Sequence, residues 1–148
     1  MTRKLTGLRR DQRGAALIEV ALTLPLMLLV SVGIFEFGRA YQTWQVLTNA
    51  AREGARIAVL PGTDDAAVTT RVQTYMSDGQ LSNYGTASIV ITRNNPIPSG
   101  IGTATASRVT VNYPFTYLVL QPVARLIDSQ TTTGAPLTMT ASALMRNE

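Results

Sequence analysis

Glu19 is an acidic residue inside an otherwise apolar segment, and its position suggests chemistry at the start of that segment. A carboxylate within a bilayer costs at least roughly 2–3 kcal/mol, so such a residue is expected to have a functional partner. A cut between Gly14 and Ala15 would supply one. The new amine of Ala15 would lie four residues before Glu19, on the same helix face. Such a cut would therefore give Glu19 a cationic partner within its own helix.

The positive charge of the chain is confined to its first residues. The 148 residues carry a net charge of +4, and residues 1–14 account for all of it, with five basic residues and one acidic residue. The remaining residues hold eight basic and eight acidic side chains. A nucleic-acid-binding protein would spread its positive charge over a folded face, so no nucleic-acid partner is expected. The positive-inside rule instead predicts that residues 1–14 stay in the cytoplasm.

Cysteine and histidine are both absent from the chain. A folded domain must then rely on apolar burial without disulfides, and a zinc site of the ordinary ligand types is excluded. The usual general base of nucleophile–base pairs is missing as well. The composition therefore predicts a protein that is not an enzyme and that has no cofactor and no metal site.

The elements that position Gly14 and Glu19 begin with a long apolar helix. Residues 20–35 carry no charge, and residues 15–35 approach the roughly 20 residues that cross about 30 Å of hydrocarbon. Pro25 is expected to bend this helix, because it removes one backbone hydrogen bond. Helical spacing of apolar residues then continues to Pro61-Gly62. One stem helix over residues 15–60 is predicted.

A short second helix is predicted after the stem. Thr63 or Asp64 is a candidate N-cap, and Gly79 is a suitable end. Three residues form its expected apolar stripe: Val68, Val72 and Tyr75.

Three later segments have the β-branched or alternating pattern of strands. They cover residues 88–92, 109–115 and 137–143, and residues 93–106 are expected to connect the first two. The expected fold class is α+β: a long N-terminal transmembrane and stem helix, a short second helix and a small antiparallel sheet packed on the stem.

The N-terminal motifs resemble those of a known family. Type IV prepilins carry a basic leader ending in glycine, followed by a glutamate at mature position five, which is Glu19 when Ala15 comes first. The segments Glu19–Pro25, Phe35–Arg39 and Asn49–Arg56 are similar to those of the TadE-like pseudopilins of the tight-adherence (Flp) pilus system. Residues 144–146 resemble that family weakly.

This resemblance implies a minor pilin that is processed by a prepilin peptidase after Gly14. Its implied domains are a leader (1–14), a transmembrane part (15–38), a periplasmic part of the stem (39–61) and a pilin-like domain (62–148). The implied location is the bacterial inner membrane, with the N-terminus cytoplasmic and the domain periplasmic. The implied partners are the lipid bilayer, other Flp pilins, and an assembly platform with its cytoplasmic ATPase. Pilus assembly, adhesion and biofilm formation are the implied processes, and entry into the extracellular pilus stays open.

Several alternatives stay open at this stage. A conventional signal peptide would be cut after Ala40, and an uncleaved single-pass scaffold of the apparatus would not be cut at all. The small residues Ala50, Gly54 and Ala58 suit either packing under the protein's own sheet or contact with a neighbouring stem. The apolar residues 113–127 suit either a core or an interface.

Overall fold

The computed structural model describes residues 12–99, 102–127 and 129–147. Two structural units divide between Phe35 and Glu36. The first unit, from residue 12 onward, is the N-terminal part of helix α1. The second contains the remainder of α1 and the domain that follows. Most of the predicted leader, residues 1–11, lies outside the described residues.

Helix α1 spans Gln12–Ala58, close to the predicted stem helix, and Pro25 lies inside it without ending it. The side chains of its apolar N-terminal part are exposed, as Leu22 illustrates with 74% exposure. The hydroxyl group of Ser31 donates a hydrogen bond to the main-chain oxygen of Met27. Lipid offers no hydrogen-bond partners to polar groups, and bonds within the helix supply them instead. This part of α1 is therefore compatible with a bilayer.

Helix α2 spans Asp65–Asp78, and both of its ends follow the predicted pattern. Asp64 is the N-cap, and its carboxylate accepts a hydrogen bond from the Ala67 amide at 2.8 Å. Gly79 is the C-cap. The expected apolar stripe needs one correction, since its third buried member is Met76 and Tyr75 is only partly buried. The buried positions 68, 72 and 76 recur every four residues, which keeps them on one helix face.

Three antiparallel strands form one sheet in the order β1-β2-β3. They are β1 (Ser88–Ser99), β2 (Gly102–Phe115) and β3 (Leu137–Arg146), and the strand pattern over residues 137–143 is confirmed. Alternate side chains of β2, including Val109 and Val111, are buried in one core with Leu47 of α1 and Val72 of α2. The α+β fold class is therefore confirmed, and the core lies between the sheet and the two helices.

The prediction of a connector over residues 93–106 is wrong. Most of that segment continues β1 and begins β2. Asn94 takes a positive φ of 57°, and the pairing with β2 shifts between Thr92 and Asn95, as in a β-bulge. The strand then resumes through Pro96 and Pro98, which β1 tolerates because it is an edge strand.

A third helix, α3 (Leu120–Ile127), was not predicted. It divides the apolar segment 113–127 into two parts. Tyr113 and Phe115 are buried in the core, whereas Val123 and Leu126 of α3 are exposed. The segment is therefore core at its β2 end and surface at its helical end.

Candidate functional site

The predicted cleavage site lies in the first turn of α1. Gly14 and Ala15 are helical, and Ala15 is exposed. A Cβ atom built on Gly14 would meet nothing within 4 Å. The fold of the described chain therefore does not itself require glycine at this position, and a requirement for glycine would come from an enzyme that acts on the bond.

Glu19 lies in the exposed, apolar part of α1. Its main-chain oxygen accepts a hydrogen bond from the Thr23 hydroxyl at 2.9 Å. In the uncut chain the nitrogen of Ala15 is a neutral amide, so the expected pair between an Ala15 amine and Glu19 has no counterpart here. The role of Glu19 stays a prediction.

The apolar part of α1 is a candidate membrane span. An 18-residue window of this helix has a mean hydropathy of 2.3, and none of the window is buried by the protein. The helix is long enough and apolar enough to cross a bilayer. Exposed apolar side chains of this extent are favourable in lipid and unfavourable in water.

Glu36, the first residue of the second unit, is a buried carboxylate with a full set of partners. It is 3% exposed, and its Oε1 accepts hydrogen bonds from the amides of Val119 at 2.6 Å and Leu120 at 3.4 Å. Arg39 donates to its Oε2 at 2.9 Å. A negative charge at a helix N-terminus is favourable, and charge-assisted hydrogen bonds are the strong ones. Glu36 therefore attaches the start of α3 to α1.

Arg39 makes a second set of contacts around this carboxylate. Its guanidinium carbon lies 5.3 Å from the centre of the Phe115 ring, a cation–π contact. The ring of Phe115 in turn meets Tyr117 edge to face, with 5.3 Å between the ring centres. Together these residues join α1 to the end of β2 and the start of α3.

Glu53 forms two ion pairs, one within α1 and one that joins α1 to α2. Arg56, one turn later in α1, and Arg71 of α2 each donate to its Oε1 at 2.9 Å, so the expected Glu53–Arg56 pair is present. The hydrogen bonds from Arg56 and Arg71 lower the pKa of Glu53 from 4.5 to about 2. The Glu53 carboxylate raises the pKa of Arg56 in return.

The small residues predicted for helix packing face the domain core. Ala50 is fully buried, Ala58 is 2% exposed and Gly54 is buried. A Cβ atom on Gly54 would overlap Cγ2 of Val72 and lie 3.2 Å from Cγ1 of Val109. Gly54 therefore allows α1 to approach both α2 and β2 closely. Whether the stripe also contributes to assembly stays a prediction.

No role is predicted for Glu36 from the sequence, although it lies in the segment Phe35–Arg39 that resembles the family. One signal was available. Glu36 is the first charged residue after the apolar run, and Arg39 follows three residues later, a spacing that favours an ion pair. The two main-chain partners of Glu36 could not be anticipated, because they lie 83 and 84 residues away. Among the described residues, no cluster of three or more His, Cys, Asp or Glu side chains could hold a metal ion.

These features define a class of protein: a candidate membrane helix that continues into a small α+β domain. The family model described as "TadE-like protein" matches residues 14–56. The match covers most of α1 and ends before α2. It confirms the resemblance to TadE-like proteins of Tad pilus systems over that segment, and this family is structural and pilus-related. Comparison with curated proteins and with solved structures gives no match.

Proposed function

We propose that the protein is a minor pilin or pseudopilin, a structural subunit needed to assemble a tight-adherence (Flp) type IVb pilus. The continuity of α1 is the observation that carries this proposal. One helix contains the exposed apolar residues up to Phe35 and the buried residues between Leu47 and Ala58 that pack in the domain core. A subunit built in this way keeps its domain attached while the apolar part exchanges lipid for the helices of other subunits.

Processing by a prepilin peptidase after Gly14 is part of the proposal. The contacts of Glu36 and Arg39 argue against the alternative cut after Ala40. That cut would remove both side chains and leave the amides of Val119 and Leu120 without their carboxylate acceptor. A cut after Gly14 leaves all of these contacts in place.

The proposed topology follows from the same helix. The N-terminus stays in the cytoplasm, α1 crosses the inner membrane, and the domain lies in the periplasm. We place the end of the span at Phe35 rather than at residue 38, because Glu36 and Arg39 are bonded to each other and to the domain. The proposed partners are the prepilin peptidase, other Flp pilins, and an inner-membrane assembly platform with its cytoplasmic ATPase.

The mass of the protein purified from isolated membranes tests this proposal. A mature N-terminus at Ala15 is expected. A mass that retains the leader would instead indicate an uncleaved single-pass scaffold of the pilus or secretion apparatus. An N-terminus at Tyr41 would show conventional signal-peptide cleavage and would remove the membrane helix from the mature protein.

A further inference from the structure

We propose that α3 is a membrane-surface helix whose apolar side inserts into the lipid leaflet next to the point where α1 leaves the bilayer. This inference rests on the proposed membrane anchoring of α1. In this proposal the exposed apolar residues of α3 contact phospholipid.

Chain continuity gives the position of α3. Glu36 directly follows Phe35, the last residue of the uncharged run. The carboxylate of Glu36 accepts hydrogen bonds from Val119 and Leu120, at the start of α3. Glu36, which follows the end of the proposed membrane span, is therefore hydrogen-bonded directly to the start of α3. Lipid headgroups and the upper acyl chains are the surroundings expected at that level.

The two sides of α3 differ in the way that a surface helix requires. Val123 and Leu126 are three residues apart and share one side, whereas Gln121 and Arg125 are four residues apart and share the other. Leu126 is 86% exposed and Val123 is 46% exposed. An apolar side opposite a basic residue is the pattern of helices that lie in the membrane interface.

The domain contacts the polar side of α3 at its start, at Gln121, whereas Arg125 further along that side is exposed. Gly134, with a φ of +72°, approaches the backbone of Gln121 so closely that a Cβ atom on it would lie 2.8 Å from the Gln121 nitrogen. The loop around Gly134 therefore packs against the start of α3. The side with Val123 and Leu126 remains open to the surroundings.

A protein partner suits this surface less well than lipid does. A stable protein–protein contact buries roughly 800 Å² on each partner. Among the side chains that the structure describes around α3, three are large, apolar and exposed, and together they supply much less than that area: Leu118, Val123 and Leu126. Lipid needs no minimum matching surface, because each apolar side chain that leaves water contributes separately.

Spin labelling in phospholipid vesicles tests the proposal, and the full-length chain suits this method because it has no cysteine. Leu126→Cys places a nitroxide on the apolar side, and Val123→Cys provides a second reporter there. Arg125→Cys is the matched control on the polar side of the same helix. Leu26→Cys, within the apolar part of α1, reports on anchoring itself. Collisions of each label with oxygen, which concentrates in lipid, and with a water-soluble nickel chelate are measured.

The expected result is a severalfold higher oxygen-to-nickel ratio at positions 126 and 123 than at position 125, with a high ratio at position 26. A low ratio at 126 and 123 with a high ratio at 26 would overturn the assignment of α3 and leave anchoring intact. A low ratio at 26 would overturn both. Protection of 126 and 123 from both reagents, with dipolar broadening between labels, would assign the surface to a second copy of the chain instead.

Discussion

The Oε1 atom of Glu36 accepts a hydrogen bond from the amide of Val119 at 2.6 Å, across 83 residues of sequence. The carboxylate is buried, and its second oxygen is bonded to Arg39. This contact stabilises the N-terminus of a short helix that could not be stable alone, because isolated helices of its length are marginal in water. The position of α3 therefore depends on a side chain of α1.

Replacing Glu36 by alanine is expected to release α3. The substitution leaves the amides of Val119 and Leu120 without an acceptor, and an unsatisfied buried polar group costs about 1–3 kcal/mol. Hydrogen–deuterium exchange of the detergent-purified protein should become faster over residues 117–126. Glu36→Gln keeps an oxygen acceptor and loses only the charge, so its exchange should be intermediate. Unchanged exchange in the alanine variant would show that other contacts hold α3.

Substitution of Gly14 separates recognition by the peptidase from folding. A bulky residue such as leucine should block cleavage, because the small Gly14 keeps the scissile bond accessible. The fold has open space at this position, so membrane insertion and thermal stability should not change. Immunoblots of membranes should show accumulated precursor. Gly33→Leu is the control in the same helix, since its Cβ position is also open, and it should be processed normally.

Glu19→Ala should leave insertion and cleavage largely intact and should abolish association with partner pilins. The reason is that the Ala15 amine, on the same or a neighbouring subunit, loses the carboxylate with which it is expected to pair. Co-purification of the tagged mature protein with its pilin partners is the measurement, together with pilus counts by electron microscopy. Wild-type pairing and piliation in this variant would refute the charge-pairing hypothesis.

Two glycine-to-alanine substitutions in α1 should have opposite effects on stability. Gly54→Ala places a methyl group against Val72 and Val109, and such overpacking costs about 1–3 kcal/mol. Gly38→Ala meets nothing within 4 Å and gains helix propensity of up to about 1 kcal/mol. The melting temperature in detergent should fall for the first variant and stay equal or rise for the second. Equal melting temperatures for both would contradict the close approach at Gly54.

Glu53 should make the stability of the domain dependent on pH in the acidic range. Its pKa is lowered to about 2 in the folded protein, so the folded state favours the ionised carboxylate. That stabilisation is present above the unfolded pKa of 4.5 and is lost as the pH falls from there towards about 2. Both arginine partners are at least half exposed, so the effect is small and added salt should reduce it. Melting temperatures measured through this range should decline less in Glu53→Gln than in the wild type.

The long helix and part of each of the three strands could be predicted because their signals are local. The uncharged run and the continuing helical spacing predicted residues 15–60 as helix, and α1 covers 12–58. Regular alternation similarly predicted the strand segments 109–115 and 137–143, and β-branched residues predicted the segment 88–92, which begins β1. In each case neighbouring residues along the chain carry the information, and tertiary contacts only reinforce it.

The missed elements depend on distant partners or on unusual backbone geometry. The far half of β1 contains Asn94 at positive φ and two prolines, which are typical of a loop, yet pairing with β2 keeps it extended. Helix α3 has only eight residues, a length at which apolar spacing alone does not distinguish a helix from a loop, and its N-terminus is held by Glu36 from α1. Gly14, Ala15 and Glu19 could be singled out because their types contrast with their surroundings, although their roles remain predictions.

The prolines of β1 limit how two copies of this chain can contact each other along that edge of the sheet. Pro96 and Pro98 have no backbone N–H group, so this stretch of the sheet margin offers no donors to a strand from another molecule. Sheets of adjacent copies are thus prevented from fusing into a continuous ribbon along this stretch. A contact between two copies along this stretch would therefore depend on side chains rather than on backbone hydrogen bonds.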